Sequence, residues 1–383
     1  MAKLSVRAMI ERLVATPSVS AVDPALDLPN RPVIDLLAEW LEHEGFAVEL
    51  LELSPGKANL IATRGRGAGG LVLSGHTDTV PFDEGLWASD PFRVREEAGA
   101  LYGLGTADMK SFLAIAIEAA RAFDDADLKE PLIVLATADE ECGMDGARAL
   151  VSAGKPRARR AIIGEPTGLT PVRMHKGCGM ERLELRGRSG HSSDPRYGAS
   201  ALDAMADAIG AMRELRAELA SKHADPSFEP PTPTMNLGRI EGGDNPNRIC
   251  GRCTLDYDVR VLPGMSLDAV RSEIHRRVAR AIEGTGVTAT HSSLTHGAPA
   301  FETPATAELI RAVEALTGHS SIGVSFGTEA PYLTELGMDT VVLGPGDIAV
   351  AHQPNEHLPL AHIDPAIAIL RGAIERFCVR GAA

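Results

Sequence analysis

Short apolar runs that stop at glycine or at ionisable residues alternate along this chain with helical patterns, and that alternation constrains the fold more than any other feature. The runs are NLIAT at 59–63, GLVLSGH at 70–76, PLIVLATADE at 131–140 and RAIIGEP at 160–166. Between them, MKSFLAIAIEAARAF at 109–123 spaces its apolar residues as a helix does. The pattern predicts an α/β sheet with helices on both faces. After about residue 178 it changes: MERLELRGR and RCTLDYDVRVL alternate apolar with polar residues, while SALDAMADAIGAMRELRAELA and a stretch at about 266–283 read as helices. Two solvent-facing strands and two helices make a small α+β unit inserted into the larger one. From about 303 the βα pattern returns with TPATAELIRAVEALTG and the run DTVVLGPG. The expected organisation is a discontinuous main domain, 1–178 and 295–383, with a central mixed sheet flanked by helices, and an inserted α+β domain at 179–294. The proline-rich ADPSFEPPTPT at 224–234 is expected as a surface loop of the insert.

Length agrees, since 383 residues exceed what one compact core usually holds and point to about two domains. No stretch is long and apolar enough to span a bilayer. The N-terminal MAKLSVRAMIERLVATPSVS interrupts its apolar residues with Arg7, Glu11 and Arg12, which spoils a secretory signal and reads as an amphipathic first helix. The formal charge of −14, with no dense Lys/Arg patch to offset it, repels phosphate backbones and argues against a nucleic-acid partner. Five scattered cysteines suit a reducing compartment, so a cytoplasmic location is expected. Cys250 and Cys253 lack a second pair of thiols or histidines and are read as packing residues.

In an open α/β sheet, sites are built at the carboxyl ends of strands. His76 and Asp78 close the run LVLSGHTD two positions apart, so on an extended chain they share a face, and the carboxylate is a natural orienting partner for a metal-bound imidazole. Taken alone, the pair reads more readily as a polar surface turn. Asp108 precedes a helix and could simply cap it. Asp139, Glu140 and Glu141 follow a strand too hydrophobic for a solvated face; three adjacent acids repel one another unless a cation gathers them. Glu165 ends RAIIGE, and His352 follows the run DTVVLGPG. An inventory of two histidines and several carboxylates at strand ends suits zinc, cobalt or manganese, and a shared carboxylate can hold two such ions roughly 3.5 to 4 Å apart.

The motifs SGHTDTVP, GLGTADMKS, TADEECG, IIGEPTG, SGHSSDP and AHQPNEH, in that order, resemble the co-catalytic metallohydrolases that include acetylornithine deacetylase, succinyl-diaminopimelate desuccinylase and glutamate-releasing carboxypeptidases. The resemblance runs over nearly the whole chain. Within that family, HKG at 175–177, TMNLGRIEGGDNPNRIC at 234–250, GTEAPY at 327–332 and LGPGDIAVAHQP at 343–354 are most similar to the acetylornithine deacetylases, which implies hydrolysis of N2-acetyl-L-ornithine to ornithine and acetate.

Carried over by position, the resemblance implies two divalent metal ions, zinc or cobalt. His76 and Glu165 would serve one, Glu141 and His352 the other, and Asp108 both. It makes Asp78 the orienting partner of His76, and Glu140 the general base that takes a proton from the attacking water and hands it to the departing amine. His191 matches a histidine that reaches the partner subunit's site and stabilises the oxyanion, so the insert is implied to be a lid that builds a homodimer. Asn247, Arg260 and Thr328 match positions near the substrate carboxylate or acyl group, with Arg248 a rival to Arg260. Glu329 is the candidate for recognising the side-chain amine of ornithine. The second motif departs from many relatives at Leu104 and Ser111, where they carry Arg and Gly; this touches packing and substrate range. A desuccinylase, another N-acyl-amino-acid hydrolase or a dipeptidase would use the same metal residues, and a silent metal- or amino-acid-binding relative is the alternative from another class.

Overall fold

The structure is a computed structural model that describes residues 3–67 and 69–380. Its principal strands are β1 (Ala47–Ser54), β2 (Lys57–Arg64), β3 (Leu71–His76), β4 (Leu132–Thr137), β5 (Arg160–Pro166), β6 (Gly177–Arg186), β7 (Thr234–Gly242), β8 (Arg252–Val261), β9 (Thr288–Ser293) and β10 (Asp339–Gly344). The helices are α1 (Val6–Val14), α2 (Arg31–His43), α3 (Lys110–Ala120), α4 (Asp145–Ala153), α5 (Ala201–Lys222), α6 (Leu267–Ala281), α7 (Glu308–Thr317), α8 (Ala330–Glu335) and α9 (Ile363–Ile374).

The chain divides into two compact units, of which the first comprises Met1–Arg173, Glu302–Ile322 and Thr328–Ala383. Its sheet runs in the order β1-β2-β4-β3-β5-β10. The β1/β2 and β2/β4 pairs are antiparallel, whereas β3 lies parallel to both β4 and β5, and β10 lies parallel to β5. Every residue of β3, β4 and β5 is buried, which is why these strands read as unbroken apolar runs and not as alternating ones. Helix α3 is buried on nearly all sides, so its apolar residues are not confined to one stripe.

Two local features set where α3 starts and how closely it packs. A Cβ at Gly164 would fall 1.9 Å from the Phe112 ring, so only glycine lets α3 press against the end of β5. The buried ammonium of Lys110 donates to the carbonyls of Leu13 and Thr16 at 3.2 and 2.8 Å, satisfying acceptors left over at the end of α1. Burial pulls that ammonium down to about 7, against the charges of Asp78 and Glu356.

The second unit comprises Met174–Phe301 and Gly323–Gly327, so it starts earlier and ends later than the expected 179–294 and takes in a short return of the chain. The boundary moves because Cys178 and Ala298 exchange both backbone hydrogen bonds, and because Met174, Phe228 and Leu262 pack as a small apolar cluster. Its sheet has four strands and not two, in the order β7-β8-β6-β9, all antiparallel. The alternating β6 and β8 are the central pair. The flanking β7 and β9 are edges with almost no buried residues, so no alternation marks them. Leu183, Leu185, Leu255 and Val259 from the sheet pack with Met205, Ala208, Met212, Ile274 and Val278 from α5 and α6. Cys250 and Cys253 are buried and unpaired, as packing residues are.

Candidate metal centre

The parallel register of β3 and β4 sets His76 opposite Thr137, so both strands deliver their last residues to one edge of the first unit's sheet. Beyond Thr137 the chain turns sharply. Asp139 adopts φ +57°, its carbonyl accepts from the amides of Gly143 and Met144, and its carboxylate pairs with Lys57 Nζ at 2.6 Å. Lys57 also pairs with Asp27 at 2.8 Å. Asn59 staples the other side of the turn, accepting from Ala138 N and donating to Gly146 O. Of the three adjacent acids, then, Asp139 is claimed by a lysine and the next two are left for other work.

Those two, with the ends of β3 and β5 and two loops, converge. His76 Nε2 lies 3.0 Å from Asp108 Oδ1 and 4.0 Å from Glu165 Oε1. His352 Nε2 lies 3.0 Å from Glu141 Oε1 and 3.4 Å from Asp108 Oδ2. Three groups each gather donor atoms within 4.8 Å of one another: His76 with Asp108 and Glu165, Asp108 with Glu141 and His352, and His76 with Glu140 and Glu141. Asp108 belongs to the first two, one oxygen toward each histidine. Two imidazoles and three carboxylates sharing a central aspartate fit a pair of borderline divalent cations, and the all-oxygen-and-nitrogen donor set does not call for a thiolate-bound ion.

Electrostatics describe the same crowding. Burial, reinforced by the charge of Asp108, raises the carboxyls of Glu141 and Glu165; burial and Glu165 raise that of Glu140. Asp108 resists its burial and is lowered, because His352 and His76 both donate to it. Burial pulls His76 down, but its contacts with Asp108 and Asp78 outweigh that and leave it well above the usual value. His352, hydrogen-bonded to Asp108 and Glu141 and half exposed, is raised to about 10. Acids raised by burial and mutual repulsion, and histidines raised by the carboxylates beside them, mark a place where positive charge is stabilised.

The model of peptidase family M20/M25/M40 matches residues 72–376, which span the first unit's site motifs and the whole insert. The chain belongs to that family. It is thereby a metal-dependent hydrolase. Two curated relatives named acetylornithine deacetylase are each 45% identical to it: that of Pasteurella multocida (strain Pm70) over 97% of both chains, and that of Proteus mirabilis (strain HI4320) over 97% of this chain and 96% of the other. Among solved structures, the YXEP protein of Bacillus subtilis, described as a dinuclear metal-binding peptidase of family M20, is similar with a TM-score of 0.68 at 17% identity, covering 96% of this chain and 97% of that one.

Around the M20 cluster stand further residues, of which the sequence alone did not single out Ser20 and Glu356. At Asp78, expected to orient His76, the nearer contact is with the backbone: His76 Nδ1 is 3.0 Å from the Asp78 carbonyl and 3.5 Å from Oδ1. The Asp78 carboxylate is itself held by Ser20 Oγ at 2.6 Å and Glu141 N at 3.1 Å, both donating to Oδ2. Glu356 accepts three backbone amides of the loop that carries Asp108. Its motif AHQPNEH was a visible signal, whereas nothing near Ser20 in sequence pointed to it. Glu140 has no hydrogen-bond or ion-pair partner among the described residues.

The remaining candidates fall into both units. In the first, Thr328 and Glu329 are buried; Glu329 Oε2 accepts from Thr137 Oγ1 at 3.0 Å, its Oε1 has no partner, and burial raises its carboxyl to about 7. In the second, the segments of His191 and Asn247 run side by side, joined by Ser192 N to Asn247 O at 3.1 Å and Ile249 N to Gly190 O at 2.8 Å. His191 is exposed, and its Nδ1 accepts from Ser193 N. Arg260 stands apart on β8, its guanidinium paired with Asp258 on the same strand, and Arg248 is paired with Asp244. Leu104 and Ser111, where the motif departs from many relatives, are both buried.

Proposed function

We propose that the chain hydrolyses the amide of N2-acetyl-L-ornithine to L-ornithine and acetate, a step of arginine biosynthesis, as a cytoplasmic homodimer that uses two zinc or cobalt ions. The observation that carries this reading is the join of two facts: 45% identity over nearly the full length to relatives named acetylornithine deacetylase, and a buried carboxylate, Glu140, with no hydrogen-bond or ion-pair partner among the described residues, beside a five-residue donor cluster.

His76 and Glu165 would hold one ion, Glu141 and His352 the other, and Asp108 both. Ions bound there supply Lewis-acid polarisation of the acyl carbonyl and make water acidic enough to deprotonate near neutral pH. Everything else falls to the chain. Glu140, whose carboxyl is raised by burial and by Glu165, takes a proton from the attacking water and delivers it to the amine nitrogen as the amide bond breaks. Asp78 keeps His76 in one tautomer, since a carbonyl at Nδ1 accepts only from N–H and leaves Nε2 as the free donor atom. His191 stabilises the oxyanion, in the partner subunit's site; Asn247, Arg260 and Thr328 hold the carboxylate and acyl group; Glu329 receives the side-chain amine.

The insert supports dimerisation. Strand β7 is an edge whose residues from 238 to 242 are all exposed, Ile240 at 52%, and an unpaired edge of this kind offers its backbone to a second strand. Among the described residues no helix is long and apolar enough to cross a membrane, and the acidic balance disfavours nucleic acid.

The deciding experiment is amine release by cobalt- or zinc-loaded protein from a panel of N2-acetylornithine, N-succinyl-diaminopimelate, N-formyl and other N-acetyl amino acids, with Glu140→Ala as control. Preference for N2-acetylornithine, abolished in the control, is the expected result. Preference for another acyl group would keep the chemistry and discard the arginine-pathway assignment, and no metal-dependent turnover would leave a silent relative.

A further inference from the structure

Glu356 is a buried acid whose carboxylate is hydrogen-bonded to backbone amides. Its Oε2 accepts from Gly105 N at 3.0 Å, and its Oε1 accepts from Ala107 N at 2.7 Å and Asp108 N at 2.9 Å. Its own carbonyl accepts from Gly103 N at 3.0 Å. Three of these four bonds are made by one side chain, and the amides it gathers belong to the loop that ends in Asp108, the residue common to two of the three donor groups. On the other side, Glu356 lies four residues after His352 in the same loop. In that loop His352 and Asn355 both adopt left-handed backbone, at φ +57° and +63°, a conformation uncommon outside glycine. Immediately beyond, His357, Leu358 and Pro359 pair antiparallel with Tyr102, Leu101 and Ala100, so the two chain segments are zipped together up to the site and Glu356 is the last fastening.

We propose that Glu356 is a positioning residue that locks the Asp108 loop to the His352 loop, so that these two side chains present their donor atoms to one ion at a set spacing. The carboxylate is the group the task needs. Two oxygens that only accept can serve three N–H donors, whereas an amide would turn an NH2 toward the Gly105 N–H. A residue that sets the orientation of a donor without touching the ion is expected to govern affinity, and loss of such a partner usually costs 10- to 100-fold. The inference rests on the two-ion reading given above, and the experiment separates the two.

The test is titration of apo-protein with Co2+, followed by calorimetry and by the visible absorption of the bound ion, in wild type and Glu356→Gln, with apo-protein melting recorded alongside. Wild type should take up two equivalents. In Glu356→Gln, the equivalent that depends on both Asp108 and His352 should weaken about 10- to 100-fold, with an altered cobalt spectrum, while the other weakens less. A folded Glu356→Gln with wild-type affinities and spectrum, even if it melts lower, would make Glu356 a structural staple only and overturn the proposal. Wild type that binds fewer than two equivalents would overturn the two-ion reading and this inference with it. If Glu356→Gln does not fold, Glu356→Asp, which keeps the charge and shortens the reach, is read in the same way.

Discussion

Lys57 Nζ stands 2.6 Å from Asp139 Oδ1, and this ion pair takes the first of three consecutive acids out of the metal cluster. The lysine side chain is 7% exposed and also holds Asp27. Lys57→Met would leave the part-buried Asp139 unpaired; removing one partner of a fully buried pair costs about 3 to 5 kcal/mol, and the loss here should be smaller because Asp139 is 14% exposed. Urea unfolding should register that loss. Because the same turn carries Glu140 and Glu141, turnover should fall as well; full stability and activity in Lys57→Met would show that the pair is ornamental.

Glu140 and Glu141 are neighbours with different surroundings, and their amide variants should separate cleanly. Glu140→Gln removes the proposed proton carrier and should lower kcat by roughly 10^2- to 10^4-fold with metal binding intact. Glu141→Gln should instead weaken one of the two ions, because His352 Nε2 loses its carboxylate neighbour at 3.0 Å. If Glu140→Gln loses metal and Glu141→Gln does not, the two roles have been assigned the wrong way round.

Removal of metal should destabilise the first unit. The buried acids Glu140, Glu141 and Glu165 are all raised by burial and by one another or Asp108, so cations relieve a repulsion that the apo-protein must carry. An ion present at a hundred times its Kd adds about 2.7 kcal/mol. Melting after chelation should therefore come several degrees lower, and Zn2+ or Co2+ should restore both the melting temperature and turnover. Identical melting curves before and after exhaustive chelation would count against a resident metal.

Acid should weaken the protein through His175. This imidazole is fully buried, its Nδ1–H donates to the Lys176 carbonyl at 2.9 Å, and burial holds it down at about 4, with the Arg260 charge acting in the same direction. In the unfolded chain it takes up a proton near 6.5. The unfolded state thus binds more protons between 6.5 and 4, so the contribution is fully present above 6.5 and is lost as the pH falls toward 4. The full difference amounts to about 3 kcal/mol. His175→Gln, which keeps a donor and cannot titrate, should flatten the acid limb of stability measured against pH.

Glu329 should discriminate among substrates. Oε2 is held by Thr137 and Oε1 has no hydrogen-bond partner among the described residues, which leaves that oxygen available to a donor. Glu329→Gln should raise KM for N2-acetylornithine and leave N-acetyl substrates without a side-chain amine nearly unaffected; unchanged turnover of N2-acetylornithine would remove Glu329 from the binding role.

Much of the framework was legible because its physics is local. The runs 70–76, 131–140 and 160–166 are apolar without interruption since β3, β4 and β5 are buried on both faces, and β6 and β8 alternate since one face packs on α5 and α6. Strands β7 and β9 were missed because edge strands that bury little leave no period to read. The metal candidates were recognisable by chemistry, as imidazoles and carboxylates where strands stop. Sequence could not say that Asp139 differs from its two neighbours, because the lysine that decides it is 82 residues away.

What the sequence determined by itself, then, was the α/β class with its inserted α+β unit, the candidate donors, and family membership, all of which follow from patterns a few residues long or from motifs in a given order. What only the tertiary structure decided was how those donors are held: Ser20 on Asp78 across 58 positions, Glu356 on the Asp108 loop across 248, and the sharing of Asp108 between two histidines. The physical reason is that hydrogen bonds and ion pairs act over about 3 Å of space and carry no trace of the distance along the chain that folding has closed.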